Sequence, residues 1–169
     1  MKTPLFTAAA LLICSVPAFA QTILPNPSND EARAPRPARA RGIASALAVE
    51  AAQAANAACL AAGNKTTTIV IDSEGVPIAM VSDDGAAAIT QRIAMGKAMI
   101  ALKTKGASAD GAKADAAIMA PLGVARAGGF PIMAGSDLVG AIAVSGSPSG
   151  QADEVCVKAA MAKIQDRVK

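Results

Sequence analysis

Three aspartates stand where a chain could carry acid–base chemistry or bind a cation, namely Asp72 and the adjacent pair Asp83 and Asp84. Paired carboxylates can exchange protons with a substrate or coordinate a hard cation. Local structure also uses carboxylates at such places, because Asp72 precedes a Ser-Glu-Gly turn and Asp83-Asp84-Gly85 precedes a helical pattern. We therefore interpret Asp72 as a turn residue and Asp83-Asp84-Gly85 as a helix cap.

The residue types that the chain lacks exclude whole classes of chemistry. Its 169 residues contain no histidine, tryptophan or tyrosine, and Phe130 is the only aromatic residue after position 20. A Ser-His-Asp triad, His-ligated zinc and His-ligated haem are therefore excluded. Residues 43–169 carry 11 basic and 11 acidic side chains. With neither a basic surface nor aromatic residues for base stacking, we expect no nucleic-acid partner.

Two cysteines, Cys59 and Cys156, lie in separate predicted helices. In an oxidising compartment they could form a disulfide, and otherwise they could pack as two buried thiols. The sequence leaves both arrangements open, because helix contact cannot be read from spacing alone. Two cysteines without further ligands do not make a tetrahedral zinc site.

Gly128-Gly129 is a candidate anion-binding loop, because backbone amides in such a loop can surround a phosphate. The Lys-Ser/Thr signature and the following helix of a phosphate-binding loop are missing. We interpret the pair as a place where two backbones approach closely.

The amino terminus predicts export. A short basic start precedes an uncharged stretch over residues 4–20 that contains Pro17 and ends in Ala18-Phe19-Ala20, which suits a signal peptidase. We predict a cleavable signal over residues 1–20 and a periplasmic or secreted protein. The apolar stretch is shorter than a bilayer-spanning helix, so we expect no stable membrane insertion. A disordered Pro/Arg-rich linker is expected over residues 21–42, followed by one domain over 43–169.

Hydrophobic periodicity predicts helices over residues 43–62, 86–102, 108–120 and 151–167. Strands are predicted over 66–72, 76–82 and 138–145, with a further short strand before the turn at 135–137. Pro77 indicates an edge strand, and the apolar stretch over 138–145 indicates a central one. The order α-β-β-α-α-β-β-α predicts an α+β fold, with an antiparallel or mixed sheet flanked by helices.

Several short motifs, in this order, resemble the GlcG/HbpS-like family, which includes haem-binding proteins and the C-terminal domain of PduO-type proteins. They are Val70-Ile71-Asp72 with Gly75, Asp84-Gly85-Ala86, Ile93-Ala94-Met95-Gly96-Lys97-Ala98, Gly128-Gly129-Phe130-Pro131-Ile132, Val139 to Gly146, and Asp153-Glu154. Ala143 departs from the family, which often has glycine there. The resemblance spans nearly all of the predicted domain. It implies a homo-oligomer with a small-molecule site near subunit contacts, and haem as the cofactor.

Haem requires an apolar slot, cations for its propionates and a group that faces the iron. Each candidate that the resemblance suggests could instead be an ordinary core or surface residue. The slot could come from Met95, Met99, Phe130, Ile132 and Met133, and the cations from Arg92, Lys97 and Arg126. Since some family members are thought to use a threonine, Thr90 and Thr104 are candidates for the iron. The predicted cofactor-binding residues are Arg92, Met95, Lys97, Met99, Thr104, Arg126 and Phe130.

Three functions follow as hypotheses. The first is an exported, oligomeric haem-binding protein that sequesters or senses haem, with haem degradation as a variant. The second is a small-molecule enzyme that uses Asp and Lys groups near the Gly-Gly-Phe-Pro loop. The third is a structural assembly domain without a ligand.

Overall fold

A four-stranded antiparallel sheet organises the computed structural model, which describes residues 40–113 and 126–169. Its strands are β1 (Thr67–Asp72), β2 (Pro77–Ser82), β3 (Gly129–Ala134) and β4 (Asp137–Ser145), in the spatial order β2-β1-β4-β3. The predicted edge position of the strand that contains Pro77 and the predicted central position of the strand over residues 138–145 are both confirmed. Pro77, which has no N–H to donate, begins an edge strand, and the apolar stretch forms the central strand β4.

Three α-helices in the described residues cover the sheet: α1 (Ser45–Ala61), α2 (Ile89–Thr104) and α3 (Gly150–Ile164), with a 3-10 turn over Gln165–Arg167. The predicted α+β class is confirmed. α1 and α3 pack on one face, where they share a core with Val70, Ile142 and Val144. Of these three helices, α2 is the one on the other face, over Ile69, Ile71 and Ala141. No helix in the described ranges has the length and hydropathy needed to cross a bilayer.

The predicted helix over residues 108–120 is wrong in its described part, where Ser108–Lys113 forms a 3-10 helix. Residues 114–120 of that prediction lie outside the described residues. Ser108 explains the difference, because its hydroxyl donates to the carbonyl of Arg126 and accepts from the N–H of Gly129. A serine side chain that bonds a distant part of the backbone competes with α-helical hydrogen bonding. Gly111, which follows in the same segment, lowers the helix propensity further.

The predicted helix cap at Asp83-Asp84-Gly85 is also wrong, since α2 begins at Ile89 without a side-chain cap. The Asp83 carboxylate instead accepts from the backbone N–H of Thr66 at 2.9 Å and from the Asn56 amide of α1 at 3.1 Å. Asp72 does hold the β1–β2 turn, accepting from the N–H groups of residues 74 and 76 at 2.9 Å each.

The two cysteines form a disulfide. Cys59 on α1 and Cys156 on α3 are bonded, with their Cα atoms 5.4 Å apart. The bond joins the two helices on one face of the sheet and closes a sequence separation of 97 residues. Of the two arrangements left open by the sequence, the structure has the disulfide.

The carboxyl-terminal end is held on α1 by an exposed ion pair. The Arg167 guanidinium donates two hydrogen bonds of 2.8 Å to the Glu50 carboxylate. These bonds hold the pKa of Glu50 below its usual value and raise that of Arg167.

Replacing Gly140 with alanine should destabilise the domain by about 3 kcal/mol, the upper range for an overpacked core. Gly140 lies opposite Asp72 in the β1–β4 ladder, and an added Cβ would collide with the carbonyl oxygen of Ile71. Urea unfolding measures the loss. Gly106→Ala is the matched control, because its added methyl meets only ordinary contacts with Thr104. A Gly140→Ala midpoint equal to that of the control would contradict the close approach of β1 and β4.

Candidate ligand-binding surface

Three of the predicted residues form one stripe along α2. Arg92, Met95 and Met99 follow each other at intervals of three and four residues, which places them on one side of a helix. Both methionines are half-buried and pack against the cluster that contains Ile69 and Ile71, whereas Arg92 is exposed. The helix therefore presents two thioethers with a cation at one end.

The edge strand β2 widens this stripe with a fourth residue, Met80. Met80 pairs with Ile69 in the β1–β2 ladder, so it lies on the α2 side of the sheet and is 49% exposed. The turn before β2 approaches α2 as well, because a Cβ added to Gly75 would lie 2.7 Å from the Met99 sulfur. We call Met80, Arg92, Met95 and Met99 the methionine surface. Sequence reasoning missed Met80, because placing it on the α2 side of the sheet requires the β1–β2 register, in which it pairs with Ile69.

Lys97 faces the opposite way from the methionine surface. Its ammonium is buried and donates to the Asp153 carboxylate at 2.7 Å and to the Val144 carbonyl at 2.9 Å. Both charged side chains are 3% exposed. The second Asp153 oxygen accepts from the N–H of Ser147 at 2.9 Å. The structure thus places Lys97 in the core, in an ion pair whose polar atoms are all hydrogen-bonded.

The Gly128-Gly129 loop makes this ion pair possible. A Cβ added to Gly128 would lie 2.7 Å from the Asp153 Cβ and 2.9 Å from the Lys97 ammonium. One added to Gly129 would lie 2.8 Å from the Lys97 carbonyl oxygen. The interpretation of the two glycines as a site of close backbone approach is confirmed.

Phe130 lies away from the methionine surface, and Arg126 lies in an exposed loop. Phe130 pairs with Ile142 and packs in the core beneath α1 and α3, with the Lys158 ammonium 5.5 Å from its ring centroid. It is therefore on the other face of the sheet from Met95. Arg126 is exposed in the loop before β3.

The two threonines proposed for the iron differ in accessibility. Thr90 is 5% exposed, and its hydroxyl is hydrogen-bonded to Thr67 at 2.8 Å and to the Ala87 carbonyl. Thr104, half-buried at the end of α2, donates to the Ile100 carbonyl at 2.8 Å. Among the described residues, no group of three or more Cys, Asp or Glu side chains could hold a metal ion.

The geometry of the methionine surface suits binding more than proton transfer. It combines polarizable apolar side chains with one exposed guanidinium, a combination that fits a flat apolar molecule bearing an acidic group. Of the three aspartates that could have served as acids or bases, Asp72 and Asp83 accept hydrogen bonds from backbone N–H groups instead, and Asp84 is exposed.

Comparison with known proteins identifies relatives that match this chain over most of their own length. The family model described as "Haem degrading protein HbpS-like" matches residues 43–162. The crystal structure of HbpS is 27% identical, with a TM-score of 0.68 over 75% of this chain and 93% of HbpS. A double mutant of HbpS from Streptomyces reticuli has the same TM-score and identity, over 75% of this chain and 90% of its own.

Two more distant structures share the fold. The PduOC:heme complex is 18% identical, with a TM-score of 0.63 over 72% of this chain and 94% of PduOC. The protein ORFY of Klebsiella pneumoniae is also 18% identical, with a TM-score of 0.63 over 76% of this chain and 94% of its own. A search of curated protein sequences finds no match.

Proposed function

The chain belongs to the HbpS-like family, and on that premise we propose that it binds haem on the methionine surface of α2. The observation that carries the proposal is the stripe of Arg92, Met95 and Met99 beside the exposed Met80. It is the place in the described part of the chain where three of the predicted cofactor-binding residues come together.

The side chains of the methionine surface fit the parts of a haem. The thioethers and their methylene groups suit the apolar macrocycle, and the Arg92 guanidinium suits a propionate. Met95 and Met99 also offer sulfur, which haem proteins use as an iron ligand and which this chain can supply without histidine or tyrosine. Lys97 and Phe130 do not enter the proposal, because one is paired in the core and the other lies on the opposite face.

The protein's own part in this function is to bind and orient the cofactor. A bound haem would supply iron-centred redox chemistry. The apolar side chains of α2 and β2 would shield one face of the macrocycle from water, and Arg92 would fix its acidic edge. None of the four residues that define the methionine surface is a carboxylate or an amine, which favours sequestration or sensing over a protein-driven degradation reaction.

We further propose that the mature protein is exported and comprises residues 21–169. The disulfide between Cys59 and Cys156 supports this, because such bonds persist in oxidising compartments such as the periplasm. We also propose a homo-oligomer, since Val76, Met80 and Ile89 are each about half exposed on or beside the α2 layer. Size-exclusion chromatography coupled to light scattering measures the oligomer, and a monomer with and without hemin would contradict it.

Titration of residues 21–169 with hemin tests the cofactor. We expect a saturable Soret band, and we expect Met95→Ala/Met99→Ala to weaken hemin binding by at least about tenfold, as loss of central contacts does. The control is Met161→Ala, which removes a half-buried methionine of α3 that packs on the opposite face of the sheet. Absence of a saturable band in the wild-type protein, or equal weakening of hemin binding by Met161→Ala, would refute the proposed site.

A further inference from the structure

Small residues make up much of the face of α2 that packs on the sheet, and the large apolar side chains that the helix buries, Ile100 and Leu102, lie near its end. Ala94, Ala98 and Ala101 are fully buried there, against Ile69, Ile71, Ala141 and Ala143. Helices normally fix their rotation and register by fitting ridges of large side chains into grooves. The alanines have little relief, so around Met95 apolar packing alone constrains the rotation of α2 weakly.

Polar contacts supply the missing constraint. In the part of the chain that the structure describes, two α2 side chains form hydrogen bonds to other elements. The Thr90 hydroxyl meets the Thr67 hydroxyl at 2.8 Å near the start of α2. The Lys97 ammonium meets Asp153 and the Val144 carbonyl near its middle. Turning the helix would pull a buried ammonium from both acceptors, which is costly in a dry core.

The partner of Lys97 comes from the opposite helical layer. Asp153 lies in the first turn of α3, on the far face of the sheet, and the pair meets beside Gly128. Lys97 lies between Met95 and Met99 in the same helix. A contact that holds Lys97 toward the core therefore also fixes the positions of those two side chains relative to β2. The far layer is thereby connected to the methionine surface through one ion pair.

We propose that Lys97 and Asp153 are positioning residues that set the rotation of α2 and so assemble the methionine surface. The part of this inference that concerns haem affinity rests on the proposed function, whereas the part that concerns the orientation of α2 does not. Buried polar pairs can confer structural specificity even where apolar replacements would be equally stable.

The test separates positioning from stability by replacing the pair rather than breaking it. In Lys97→Met/Asp153→Asn no charge is left buried, and the asparagine keeps an acceptor for the Ser147 N–H. The matched control is Lys158→Met/Glu154→Gln, which removes a Lys–Glu pair of 2.6 Å with an exposed lysine on α3. Circular dichroism and urea unfolding test whether both variants are folded, as we expect.

Two readouts are compared in these variants. Peroxide oxidation followed by peptide mass spectrometry reports the exposure of each methionine, with Met161 on the opposite face of the sheet as the internal standard. We expect Met99, seated against Gly75 in the wild type, to oxidise about twofold faster or more relative to Met161 in Lys97→Met/Asp153→Asn. We also expect the hemin dissociation constant to rise about tenfold, within the range for indirect positioning effects. The control should match the wild type in both.

The outcomes distinguish the inference from the proposed function. An altered Met99 oxidation rate with weaker hemin binding supports both. Altered oxidation in a protein that never binds hemin supports the inference and refutes the proposed function. A folded Lys97→Met/Asp153→Asn protein with wild-type Met99 oxidation overturns the inference, whatever its hemin affinity.

Discussion

Asp153→Ala should lower the free energy of unfolding by about 3–5 kcal/mol, the usual cost of removing one partner from a buried ion pair. The Lys97 ammonium, 3% exposed, would keep a single acceptor, the Val144 carbonyl, while remaining in the core. The Ser147 N–H would lose its acceptor at the start of α3 as well. Urea unfolding followed by circular dichroism measures the loss.

The paired replacement provides the control for this prediction. Lys97→Met/Asp153→Asn should be more stable than Asp153→Ala, because it buries no lone charge, so the effects of the two sites are not additive. A cost below about 1 kcal/mol for Asp153→Ala, typical of an exposed ion pair, would contradict the buried position of Lys97.

Loss of the disulfide should have an effect of similar size. Cys59→Ala/Cys156→Ala should lower the free energy of unfolding by about 4 kcal/mol. The bond closes a sequence separation of 97 residues and so restricts the unfolded chain strongly. Both cysteines are buried between α1 and α3, so the substitutions also remove apolar contacts in that core. Chemical unfolding without reductant measures the difference from the wild type.

Reductant provides the internal control for the disulfide. With a dithiol present throughout unfolding, the wild-type protein should lose most of its extra free energy of unfolding over Cys59→Ala/Cys156→Ala. The free energy of unfolding of that variant should be unchanged. Thiol titration of the denatured, oxidised mature protein should find no free thiol. A full complement of free thiols would show that the protein carries two buried cysteines instead.

Local sequence signals account for most of the fold. The β-branched stretch from Thr66 to Ile71 predicts β1 because its side chains favour a pleated, buried surface. Pro77 identifies the edge strand because it lacks a donor. The alanine-rich segment after Ile43 predicts α1 because alanine has the highest helix propensity. Each of these signals depends on neighbours in the chain, which is why sequence reasoning finds them.

The errors arise where distant partners compete with local preferences. Asp83 has the residue type and position of a helix cap, but Asn56 and Thr66 bind its carboxylate. Ser108 begins an alanine-rich segment, yet its hydroxyl holds the loop before β3. Neither partner can be identified from local spacing.

The sequence likewise predicts the part of the candidate site that depends on local spacing, and not the part that depends on distant contacts. Helical spacing alone groups Arg92, Met95 and Met99 on one side of α2. Placing Phe130 on the other face of the sheet requires the β3–β4 register, in which it pairs with Ile142. Identifying Asp153 as the partner of Lys97 requires the packing of α3, because the two residues lie in different helical layers.

Methionine methyl NMR tests the location of the haem site most directly. Residues 21–169 contain six methionines, the seven of the full chain less Met1, and [13C-methyl]-methionine labelling gives each one resonance. Gallium protoporphyrin, a diamagnetic haem analogue, should shift Met80, Met95 and Met99 while leaving Met161 on α3 unchanged. Saturable shifts confined to Met133 and Met161, or no shift at any methionine, would contradict haem binding on the methionine surface.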